Sequence, residues 1–91
     1  MKIDELRNRA RSFLESVDTE DGEGLGIEGG IHFNFDEGIV FLCNLKSFLE
    51  GRGESAVGIT PVFASLQTGE CRFLTLDESL SLSEKGQLVL E

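Results

Sequence analysis

Residues 25–45 read LGIEGGIHFNFDEGIVFLCNL, and the fold turns on this stretch. From Leu25 the apolar period is two. Leu25, Ile27, Gly29, Ile31, Phe33 and Phe35 share one parity, and Gly26, Glu28, Gly30, His32 and Asn34 share the other. Side chains of a strand alternate between its faces, so this spacing predicts a half-buried strand with the Phe face inward and the His32 face toward solvent. The Gly29-Gly30 pair predicts a bulge or bend in it. Asp36-Glu37-Gly38 then reads as a hairpin connection, with a glycine available for positive φ. The run from Ile39 to Leu45 lacks alternation and predicts a second, more fully buried strand.

Upstream, Ile3, Leu6, Ala10, Phe13, Leu14 and Val17 recur at spacings of three and four. They form one apolar stripe and predict an amphipathic helix over residues 3–17. Asp4 and Glu5 fall in its first turn, where the helix dipole favours anions. Downstream, Lys46 to Glu50 reads as a helical turn or loop, and residues 51–55 as a polar loop. Ile59–Leu66 reads as a third strand, with Pro61, the sole proline, near its start, where a missing donor is tolerated. A turn at residues 67–70 leads to a fourth strand from Cys71 to Leu76. In the tail, a terminal hairpin and a short helix from Asp77 are both open, and a helical turn followed by an extended end is the reading taken. Closely spaced strands pair antiparallel, because a parallel pair needs a long crossover. The expected fold is α+β: one domain over residues 1–91, with an N-terminal helix packed on one antiparallel sheet of about four strands.

Composition narrows the function. The 91 residues carry 17 acids against eight Lys and Arg, a net charge of −9. Binding of nucleic acid or of an anionic membrane surface needs clustered cations, so neither is expected as a partner. A basic protein partner is. The segment MKIDELRNRARSF lacks the apolar region of a secretory signal and no run approaches membrane-spanning length, which makes the cytoplasm the expected location. Cys43 and Cys71 stand in apolar stretches and are expected as buried, reduced thiols.

Catalytic signatures are missing. His32 is the single histidine. Its parity makes it a surface imidazole, with neither cysteine near it in sequence. No nucleophile elbow, zinc-helix motif or phosphate loop is present. The acid-rich segment 18–24 does not match a calcium loop, because Glu23 falls where glycine is needed and Gly29 where the bidentate Glu is needed. Neither cofactor, metal nor catalytic residue is expected.

The charge distribution is the distinctive feature. Between Ser12 and Leu45, 34 residues hold eight acids and no Lys or Arg. The loop 18–24, the outer face of the first strand and the 36–38 hairpin are expected to form an acidic surface. Its interface residues are Asp18, Glu20, Asp21, Glu23, Asp36 and Glu37. Such a surface suits the basic active site of a toxin, or a general docking role for a basic protein. An inhibitor of phage or plasmid origin that imitates nucleic acid charge is the alternative. Exposed strand edges leave homo-oligomerisation open.

The second half carries a resemblance. Gly38-Ile39-Val40-Phe41-Leu42-Cys43-Asn44, then Leu45–Gly51, then Gly58-Ile59-Thr60-Pro61-Val62-Phe63 and Thr68-Gly69-Glu70-Cys71-Arg72-Phe73-Leu74 resemble the immunity protein 35 family, the YrhB-like domain. The likeness covers roughly residues 3–82. It implies an N-terminal helix before the sheet, and a bacterial antidote that neutralises a cognate polymorphic toxin by tight binding, with no catalytic residue of its own.

Overall fold

The computed structural model describes residues 2–17, 24–53 and 59–91. Helix α1 spans Ile3–Glu15, with Leu6, Ala10 and Leu14 buried on one side. At about 2 kcal/mol for each fully buried leucine, this stripe is what fixes the helix to the sheet. It stops two residues before Val17 because the Ser16 hydroxyl and amide both turn back to the Phe13 carbonyl (2.6 and 3.2 Å).

The strands are β1 (Leu25–Ile27), β2 (Ile31–Phe35), β3 (Gly38–Phe41), β4 (Cys43–Leu45), β5 (Val62–Ser65), β6 (Cys71–Phe73) and β7 (Gln87–Leu90). The remaining helices are α2 (Lys46–Leu49) and α3 (Leu76–Lys85). Five strands form one sheet in the order β6-β5-β3-β2-β7, every pairing antiparallel, while β1 and β4 form a separate two-stranded sheet. The chain is therefore α+β with α1 packed on an antiparallel sheet, of five strands where about four are expected.

Two corrections concern the decisive stretch. Residues 25–35 are two strands in two sheets, because the Gly29-Gly30 pair makes a turn, with Gly30 at φ 84°, and not a bulge or bend within one strand. The run to Leu45 likewise breaks at Leu42 into β3 and β4. In the tail, the expected helical turn is a ten-residue helix, α3, and the extended end is β7, which returns to pair with β2.

The central strand β3 is buried at all four residues because both sheet faces are covered. On one face, Ile39, Phe41, Val62 and Ala64 meet Leu6, Ala10 and Leu14 of α1. On the other, Phe35, Val40 and Leu74 meet Leu82 of α3, with Phe33 and Phe63 partly buried beside them. Helix α3 is held at its start by a capping box. The Thr75 hydroxyl accepts from the Glu78 amide (3.1 Å), and the Glu78 carboxylate accepts from the Thr75 amide (3.0 Å). The same carboxylate takes both Arg72 Nη groups (2.7 and 2.9 Å). The Arg72 guanidinium lies 4.9 Å over the Phe63 ring. One arginine thus ties β6, β5 and α3 together.

Gly38 is required by packing. A Cβ there would strike the Phe63 ring and come within 2.6 Å of the Ala64 carbonyl. Gly38→Ala is expected to lower stability by about 2 kcal/mol, read from urea midpoints, since an overpacked core must move backbone to relieve the clash. An unchanged midpoint would show that the hairpin yields freely.

Candidate functional site: an acidic sheet end

The β2–β3 turn is Asp36-Glu37, closing a register in which Phe35 pairs with Gly38. Asp36 holds a positive φ of 52°, a conformation that Asp and Asn adopt more readily than most residues. Because Gly38 also pairs with Ser65, this turn lies beside the β5–β6 connection. Two bonds join them. The Leu66 amide donates to the Glu37 carbonyl (2.9 Å), and Gln67 Nε2 donates to Glu37 Oε2 (2.9 Å). Glu70 follows in the same connection, its carbonyl taking the Ser65 amide (2.9 Å).

Asp36, Glu37 and Glu70 are all exposed. Among the described residues, none of them forms an ion pair with Lys or Arg within 4 Å. Arg72 feels the Asp36 charge but is committed to Glu78. Three uncompensated carboxylates therefore stand at one end of the five-stranded sheet, on two turns joined by hydrogen bonds. The sequence reading missed Glu70. Only the β3–β5 pairing brings residues 66–70 to residues 36 and 37.

Asp18, Glu20, Asp21 and Glu23 lie outside the described residues. Gly24, which follows them, meets Lys46 at the far end of the β3–β4 run from the Asp36-Glu37 turn, its carbonyl accepting from the Lys46 amide (3.4 Å). Glu28 is also at that far end, bonded through its amide to the Leu42 carbonyl (2.8 Å). Helped by burial, which is the larger cause, the Glu28 charge pushes the Cys43 thiol up to about 11. Both cysteines are unbridged and half-buried, less enclosed than expected, and burial also raises Cys71.

His32 corrects the solvent-face expectation. It is 7% exposed, on the face that α1 covers. Its Nδ1 has no hydrogen-bond partner and sits 3.7 Å from Glu91 Oε2. Glu91 in turn pairs with Arg7, which also reaches Asp4 (3.2 Å) and lies 5.6 Å over the Phe41 ring. Alternation assigned the parity correctly. It does not say which parity the helix will cover.

These groups set a pH dependence. Burial, then Arg7, lowers the His32 pKa below 6.5. The unfolded chain then binds the proton more readily, so stability is full above pH 6.5 and declines as pH falls through the lowered value. Glu78 is held down to about 2 from 4.5, chiefly by the Arg72 hydrogen bonds. Its contribution is present above pH 4.5 and is lost as pH falls toward 2. Urea midpoints measured between pH 8 and pH 2 are expected to show two falling limbs. His32→Phe should flatten the upper limb and Glu78→Gln the lower. A profile unaltered by either variant would refute the assignment.

No helix among the described residues is long and apolar enough to cross a membrane, and none of their His, Cys, Asp or Glu side chains gather in threes to hold a metal ion. Compared with family models, curated proteins and solved structures, the chain matches none.

Proposed function

We propose that this chain is a non-enzymatic binding protein that docks on a basic protein partner and occludes it, in the manner of a bacterial immunity protein on its toxin. The observation that carries this reading is the set of exposed carboxylates of Asp36, Glu37 and Glu70, without an ion pair to Lys or Arg among the described residues, on two mutually braced turns. Bracing lowers the entropy lost when such turns are immobilised in a complex. The net charge of −9 adds long-range attraction to a basic surface. Asp36 and Glu37 make contact, and Asp18, Glu20, Asp21 and Glu23 add to the negative charge that attracts the partner. The antidote role is supported by the short motifs of residues 38–74 that resemble the immunity protein 35 family.

The test is capture from the source cell at low and at high salt, followed by co-expression of the retained protein with and without this chain. A basic protein that is released by salt, and whose toxicity the chain suppresses, is the expected result. Retention of an acidic or salt-insensitive partner would overturn the charge-based reading. A basic partner that is not toxic would keep the docking surface and remove the antidote role.

A further inference from the structure

The two edges of the five-stranded sheet are built differently. Strand β6 is three residues long and carries Arg72, clamped to Glu78. Short length and a charge are ordinary ways of blocking unwanted pairing. Strand β7, Gln87-Leu88-Val89-Leu90, has no charge and no proline, and pairs with β2 in unbroken register. Its Leu88 is 53% and its Leu90 75% exposed. Both lie on the sheet face away from α1, where Leu88 pairs with Phe33 and Leu90 with Ile31. Among the described residues nothing pairs with the outer side of β7.

The hydrogen-bonding phase of β7 is fixed by one bond: the Glu91 amide donates to the Gly30 carbonyl (2.9 Å). In an antiparallel ladder alternate residues bond to the same neighbour. Glu91, Val89 and Gln87 therefore face β2, and the amides and carbonyls of Leu88 and Leu90 face the open edge. We infer that this edge is a self-association surface, on which β7 of a second copy of this chain pairs antiparallel about a two-fold axis through Val89.

The register is self-complementary. Leu88 falls opposite Leu90 of the other copy, and the reverse, so the outward groups of both copies satisfy each other in about four backbone hydrogen bonds. The same pairing places the exposed leucines of both copies on one face, in a stripe flanked by Ile31 and Phe33. It brings Lys85, which forms no ion pair among the described residues, toward the end of the other strand, where Glu91 and Asp4 stand. Four residues a side bury less than the roughly 800 Å² per partner of a standard interface, so the expected dissociation constant is on the order of 10–100 µM. Two bodies of charge −9 repel, and salt screens that repulsion. Salt must therefore strengthen self-association while it weakens docking on a basic partner, which keeps this inference separable from the proposed function.

Sedimentation equilibrium of the whole chain, from about 5 µM to about 1 mM at low and high salt, provides the test. The mean mass is expected to rise from 10.0 kDa toward twice that value, at lower concentration when salt is high. Leu88→Lys with Leu90→Lys should abolish the rise, while Leu76→Lys with Leu80→Lys on α3 should leave it intact. In the unmutated protein, amide exchange at Leu88 and Leu90 should slow with concentration, a readout independent of whether the variants fold. A chain that stays monomeric at about 1 mM in high salt, with those amides unchanged, overturns the inference. So does a dimer that survives the β7 variant or is lost in the α3 variant.

Discussion

Combined Asp36→Asn, Glu37→Gln and Glu70→Gln substitution is expected to leave the fold intact and to slow association with the basic partner about tenfold at low salt. The fold survives for three local reasons. Asn tolerates the positive φ of residue 36, where lysine would add strain to the charge change. Glutamine at 37 keeps an oxygen to accept from Gln67. Glu70 works in the turn through its backbone carbonyl and amide, which substitution of the side chain leaves in place. What changes is charge alone, from −9 to −6. At high salt the difference should shrink, because separations beyond about 8–10 Å are screened there. Stopped-flow association rates at two ionic strengths measure it. A parallel rise in the dissociation rate would identify contact as well as steering, since rim charges that only steer alter the on-rate. Equal on-rates for the variant and the unmutated protein at low salt would remove these acids from the encounter.

Phe41→Ala is expected to cost about 3–5 kcal/mol, as for other buried phenylalanines cut to alanine. A domain of this size holds about 5–10 kcal/mol in all, so the variant should be extensively destabilised at 25 °C. Phe41 is fully buried in the central strand, packed against the α1 stripe. Its ring also supports Arg7 at 5.6 Å and stands 6.5 Å from the His32 ring. Removing it opens a cavity and leaves the orphaned His32 Nδ1 with one wall fewer. Thermal and urea unfolding followed by circular dichroism would measure the loss. A cost below about 1 kcal/mol would mean that α1 and the sheet collapse onto the space, and that Phe41 is not closely packed against the α1 stripe.

The local elements and the surface differ in how far the sequence reveals them. Helix α1 was legible because a stripe at three-and-four spacing has one meaning over thirteen residues. The Asp36-Glu37 turn was legible because polar residues and a glycine separate two apolar runs. The Gly29-Gly30 pair was not, since a bulge and a turn ask for the same residues. Reading it as a bulge or bend within one strand joined β1 to β2, and put one continuous strand where two sheets stand.

His32 illustrates a different limit. Its parity was correct, but burial depends on which face receives α1, and that choice is made by Leu6, Ala10 and Leu14 together with Ile39, Val62 and Ala64. Glu70 was missed because its place beside Asp36 and Glu37 comes from a long-range pairing, Gly38 with Ser65. Strand β7 was legible only as an extended end, because its partner β2 lies far back in the chain. Nearby chain order fixed the local elements. Distant pairings fixed the surface.

The most direct measurement is a hydrogen-exchange footprint of the chain bound to its captured partner. Slowed exchange at residues 36 and 37 and across residues 66–70, with β7 and α3 unchanged, is the result expected of docking through the acidic sheet end. Protection confined to β7 or α3, with both acidic turns exchanging as in the free protein, would contradict it.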